Sequence, residues 1–89
     1  MKAIVTVIGK DKVGIIAAVS AKMAQYNINI LDISQTTMQE YFTMIMMVDM
    51  QAASAALGVV QDDMARMGEE MGLSIRIQHE DIFNIMHRV

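Results

Sequence analysis

Apolar and polar positions alternate along this chain in two different periods, and the switches between them mark out its elements. Ala3 to Ile8 is short, apolar and β-branched, and breaks at Gly9, which predicts a buried strand. Asp11 is placed to cap a following helix, with Val13 and Gly14 in its first turn. Ile16, Val19, Met23 and Tyr26 then recur at helical spacing and give that helix one apolar face. Asn27 to Asn29 closes it, because asparagine competes for backbone hydrogen bonds and tolerates turns.

Asn29 to Thr37 reads as a second strand, with Leu31 and Ile33 on one face and Asp32 and Ser34 on the other. Met38, Gln39 and Glu40 carry a turn into a third strand, Tyr41 to Met50, so the two form a hairpin. Phe42, Met44, Met46 and Val48 make a wholly apolar face, expected to meet the helices. The opposite face, with Tyr41, Thr43, Ile45, Met47 and Asp49, is mixed, and is expected to be open or shared with a partner. Ala52 to Gly72 reads as a second helix. Its stripe is Ala53, Leu57, Val60, Met64, Met67 and Met71, with Gly72 as C-cap and Gly58 and Gly68 each weakening it. Leu73 to His79 alternates as a fourth, half-exposed strand.

The order β-α-β-β-α-β with right-handed crossovers implies an α+β fold. It is a ferredoxin-like sandwich of a four-stranded antiparallel sheet with two helices on one face. The chain is read as one domain, residues 1–89, in which 80–89 form a tail. Ile82, Met86 and Val89 fall on one side of that tail, so it is expected to form a short helix, with Ile82, Phe83 and Met86 packed on the body or a partner.

Composition narrows the function classes. A domain of 89 residues buries a modest share of its surface, and 54% of its residues are hydrophobic. Both argue for a surface shared with a second copy, and a homodimer is expected. The net charge of -3 is scattered with no basic stripe, which argues against direct nucleic-acid binding. The absence of cysteine removes disulfides, thiol catalysis and thiolate metal sites, and fits a cytoplasmic setting. The first apolar run is cut off at Gly9 to Lys12, too soon for a signal peptide, and no run is long enough to cross a bilayer. The eleven methionines are spread over every element and read first as core filling, second as an adaptable binding surface.

Three stretches could carry chemistry. Gly9, Lys10, Asp11, Lys12, Val13 and Gly14 bracket a helix start with glycines. Free N–H groups there attract a carboxylate or phosphate, and Asp11 suits an ammonium group. The same stretch is also what a tight, capped strand-to-helix turn requires. It ends without the Gly-Lys-Ser/Thr of a phosphate loop, and it lacks the third glycine of a dinucleotide fingerprint. Asn27, Asn29 and Asp32 offer donors and acceptors suited to an amino acid, or else simple turn geometry and a solvated strand face. His79, Glu80, Asp81 and His87 are metal-capable, at a spacing that matches no metal motif. Ser20, Ser34, Ser54 and Ser74 have no local context that would activate them.

The stretch TVIGKDKVGIIAAVSAKMAQYNINILDISQ, Thr6 to Gln35, closely resembles the start of an ACT domain, the amino-acid-sensing regulatory module. Gly9, Asp11 and Gly14 fill the family's first motif, and Asn29 with Ile30 fills the pair that opens its second strand. The ending IQHEDIFNIMHRV, Ile77 to Val89, resembles the tail of the small stand-alone ACT proteins of bacteria and archaea. Some relatives are similar to the transcriptional repressor of the glycine cleavage system, which carries two such domains. The resemblance implies a βαββαβ domain that associates in pairs, with an amino acid where the first loop meets a neighbouring subunit. Carried over, the loop from Gly9 to Gly14 would supply backbone N–H groups and Asn29 would reach the ligand from the second strand.

The expected function is therefore a non-catalytic regulatory module that binds an amino acid or similar metabolite at a dimer interface and acts on a regulated protein. No cofactor is expected. The alternatives are a protein-binding adaptor without a small ligand, and a small enzyme or metal protein built on the terminal histidines.

Overall fold

A computed structural model describes residues 1–81. Its elements are β1 (Lys2–Lys10), α1 (Ile15–Gln25), β2 (Asn29–Met38), β3 (Tyr41–Asp49), α2 (Leu57–Met71) and β4 (Leu73–His79). The strands form one antiparallel sheet in the order β2-β3-β1-β4, with both helices on one face. The expected α+β, ferredoxin-like βαββαβ sandwich is the fold observed. β1 and β3 are its two central strands, and their helix-side residues Ala3, Val5, Val7, Phe42, Met44, Met46 and Val48 are all buried. Leu73, Ile75 and Ile77 of β4 complete that side. Met23, Met44, Met46, Met50 and Met64 are core residues, in line with the first reading of the methionines.

Several local expectations need correction. β1 runs through Gly9 to Lys10, because Gly9 pairs with both Phe42 and Leu73 and Lys10 with Tyr41. Asp11 does not cap α1; its N–H donates to the Glu40 carbonyl at 2.7 Å, which fastens the loop to the β2–β3 hairpin. The cap residue is Gly14, at φ 96°, a left-handed conformation that costs a residue with a Cβ about 1–2 kcal/mol. With the helix starting at Ile15, the buried stripe becomes Ile15, Val19 and Met23, spaced by four, and Ile16 turns outward.

In β2 a bulge at Leu31 shifts the register between Ile30 and Asp32, so Leu31 faces no residue across the ladder. Ile33, Gln35 and Thr37 then lie opposite Met46, Met44 and Phe42 on the helix side, parting Ile33 from Leu31. β2 is an edge strand and stays exposed apart from half-buried Ile30.

α2 begins at Leu57 rather than Ala52. The preceding turn is held elsewhere: Asn27 Nδ2 donates to the Ala52 carbonyl at 3.0 Å, and the Ser54 N–H donates to the Tyr26 carbonyl at 2.8 Å. Its stripe is as read from Leu57 onward, and Gly72 closes it in a left-handed conformation. Gly68 is buried on that stripe: a Cβ there would sit 2.7 Å from the Leu73 carbonyl oxygen. This glycine lets α2 lie close on β4. The tail residues Ile82, Phe83, Met86, His87 and Val89 lie outside the described residues.

Candidate functional site

The loop between β1 and α1 opens on a groove of about 440 Å³, bounded by residues 11–17 and by Gln35, Thr37 and Phe42. α1 starts here without a side-chain cap. Among the described residues, no acceptor is hydrogen-bonded to the N–H groups of Ile15, Ile16 and Ala17. Three unpaired backbone donors and the positive end of the helix dipole therefore stand at residues that border the groove, a setting that favours a small anion. The Asp11 carboxylate on the rim adds a site for a cation, and Gln35 and Thr37 add neutral polar groups.

The other loop residues are placed differently. A Cβ on Gly9 would meet Leu73 Cδ2 at 2.5 Å, so Gly9 serves strand packing. Lys10 is an exposed strand residue beside Tyr41. Lys12 borders the groove as well, and its ammonium donates to the Met71 carbonyl at the C-terminal end of α2. That end carries negative partial charge, so Lys12 latches the loop to α2. Val13 is fully exposed at the loop tip.

Asn29 and Ile30 sit at the other end of the sheet. Asn29 shares a cross-strand row with Asp49 and Lys2, whereas the loop adjoins the row of Tyr41 and Lys10. Eight residue steps along β3, from Tyr41 to Asp49, separate these rows, about 27 Å of strand. Within one chain Asn29 therefore does not meet the loop. It borders a separate hollow of about 330 Å³ with Ala24, Asn27, Ile28 and Ala52. Asn27 takes a left-handed φ of 57° and ties the turn before α2; Asp32 Oδ1 accepts from the Ile33 N–H next to it. His79 Nδ1 accepts from the Asp81 N–H at 3.0 Å, a local turn contact. Among the described residues no three metal-capable side chains cluster, and no helix is long and apolar enough to cross a membrane.

The sequence reading missed Gln35, Thr37 and Phe42 as groove residues. The signal was the hairpin itself: its turn puts Phe42 opposite Thr37, close to the end where the first loop must emerge. It also missed a polar clamp between the helices. Asp63 Oδ2 accepts from the Tyr26 hydroxyl at 2.5 Å and from Lys22 Nζ at 3.0 Å. The Tyr26 hydrogen bond, and then Lys22, hold the Asp63 carboxyl below the usual carboxylate range. The same bond, with partial burial, pushes the Tyr26 hydroxyl above its ordinary value.

A family model described as ACT domain matches residues 2–78. A UPF0237 protein of Clostridium acetobutylicum is 58% identical over 89 residues, covering 100% of each chain. An ACT domain protein from Streptococcus pneumoniae is similar in structure at a TM-score of 0.82 and 43% identity, over 93% of both chains. A putative glycine cleavage system transcriptional repressor shares the fold at a TM-score of 0.74 and 20% identity, over 89% of this chain and 47% of that one.

Proposed function

This chain belongs to the ACT domain family, a family of non-catalytic regulatory modules, and we propose that it binds an amino acid or a similar small metabolite at a homodimer interface. The observation that carries the reading is the uncapped start of α1 opening on a groove rimmed by Asp11. A ligand carboxylate would take the N–H groups of Ile15, Ile16 and Ala17, and its ammonium group would face Asp11.

Asn29 joins this site from a second copy. β2 is a ten-residue edge strand with Asp32 as its single charge, and long unguarded edges favour pairing with another strand. Antiparallel pairing of β2 with its own copy sets Asn29 of one chain against the Thr37 end of the other, beside that chain's groove. Ile30, half-buried next to Asn29, would pack in the same contact. The output would pass to a regulated protein, and a cytoplasmic setting goes with the reading.

Calorimetric titration against the twenty amino acids tests it. One or a few should bind, Asp11→Asn should abolish discrimination for the ammonium group, and Asn29→Ala should weaken binding by about 1–3 kcal/mol. Equal affinity in wild type and both variants would place the site elsewhere. If no member of the panel binds, a protein-binding adaptor becomes the better reading.

A further inference from the structure

The sheet face away from the helices has an apolar middle and a charged rim. Along β1 and β3 it shows Ile4, Thr6, Ile8, Thr43, Ile45 and Met47, and Ile8 and Ile45 are 48% and 49% exposed. The strand charges on this face stand at its margins: Lys2 and Asp49 at one end, Lys10 at the other, Arg76 on edge strand β4 and Asp32 on edge strand β2. Apolar centre and polar rim are the anatomy of a protein interface.

We propose that this face stacks on the same face of a second copy, about a two-fold axis parallel to the strands. This contact is separate from the β2 edge. Such an axis lays β1 over the second copy's β3, and β4 over its β2, with each cross-strand row kept. Lys2 then faces Asp49, Ile4 faces Met47, Ile8 faces Thr43, and Lys10 faces the ring of Tyr41. Arg76 comes over Ser34, two residues or about 7 Å along the strand from Asp32, within reach of a long side chain. Every opposition occurs twice, and no like charges meet. The pattern is complementary to itself, which is why a second copy is the occupant. Four strands of eight or so residues give each face about 500 Å², so the pair covers about 1,000 Å², the least that a specific interface needs. Packed sheets of this kind align within about 30°, so rows near the axis stay in register.

Arg76 and Asp32 make the test specific. They lie on opposite edges of one sheet, three strand spacings or about 14 Å apart, so coupling between them must be intermolecular. Sedimentation velocity on the full chain should show Ile45→Lys halving the assembly mass. Arg76→Glu should weaken assembly at least tenfold, and adding Asp32→Arg should restore it. Unchanged mass in both Ile45→Lys and Arg76→Glu, no restoration in the double variant, or a monomeric wild type would overturn the proposal. Should Ile45→Lys fail to fold, the charge pair decides alone. Ile33→Lys on β2 separates the two contacts. If it halves the mass while Ile45→Lys does not, the edge pairing stands and the stacked face is refuted. The reverse result keeps the stacked face and refutes the edge.

Discussion

The same substitution at two glycines of one helix should change stability in opposite directions. Gly58 and Gly68 both lie in α2 with ordinary helical backbone, and alanine is favoured over glycine in a helix by about 0.8–1 kcal/mol. At Gly58 a Cβ meets nothing within 4 Å, so Gly58→Ala should gain about 0.5–1 kcal/mol. At Gly68 the new Cβ would lie 2.7 Å from the Leu73 carbonyl oxygen and 3.2 Å from Ile75 Cγ1. The first is backbone in a paired strand and cannot rotate away. α2 would have to lift by roughly 0.5 Å or more, loosening Val60 and Met64 on the sheet, and overpacking of this kind costs about 1–3 kcal/mol. The clash exceeds the propensity gain, so Gly68→Ala should lose about 1–2 kcal/mol net. In a domain this size each kcal/mol moves Tm by about 4–8 °C. Thermal unfolding by circular dichroism at matched protein concentration reads both. A Gly68→Ala protein as stable as wild type, or raised like Gly58→Ala, would refute the close contact between α2 and β4.

The Tyr26–Asp63–Lys22 clamp should stabilise the fold within a pH window. Asp63 is depressed, so its contribution is present above the ordinary carboxylate pKa and fades as pH falls through its lower folded value; Tyr26 is raised, so its contribution is present below about pH 10 and fades as pH rises through its higher folded value. The Tm difference between wild type and Asp63→Asn, followed against pH, should be greatest between those limits, and a flat difference would exclude the clamp. Met44→Ala removes a fully buried side chain from central strand β3 and should cost about 2–5 kcal/mol in urea unfolding. Lys12→Met should lower stability by on the order of 0.5 kcal/mol while leaving amino-acid affinity unchanged in calorimetry, since Lys12 is bonded to the end of α2. A large loss of affinity would assign Lys12 to the ligand instead.

The elements and their faces were legible in the residues wherever one segment meets one layer. The Phe42, Met44, Met46 and Val48 face, the Leu73, Ile75 and Ile77 face and the Gly72 cap all appear where period and glycine placement put them. The errors fall where a contact from a distant segment overrides a local preference. Asp11 is a good cap by type, but the hairpin takes its backbone, and Gly14 is the cap of a helix that starts at Ile15. Ala52 to Ala56 has helical composition, yet Asn27 and Tyr26 hold its beginning outside the helix. The bulge at Leu31 reassigns Ile33 without altering any residue's polarity.

The candidate site divides in the same way. The glycine-flanked loop, Asp11 and the start of a helix are consecutive residues, and their chemistry could be listed from the chain. That Gln35 and Thr37 line the groove, that the Met71 carbonyl holds the Lys12 ammonium, and that Asn29 stands a sheet length from the loop all depend on which strands pair and in what register. Periodicity and turn chemistry record what each segment prefers against a surface, so the sequence by itself determined the elements, their buried faces and the fold class. Strand order, edge position and cross-strand register belong to pairs of distant segments, and only the tertiary structure decided those.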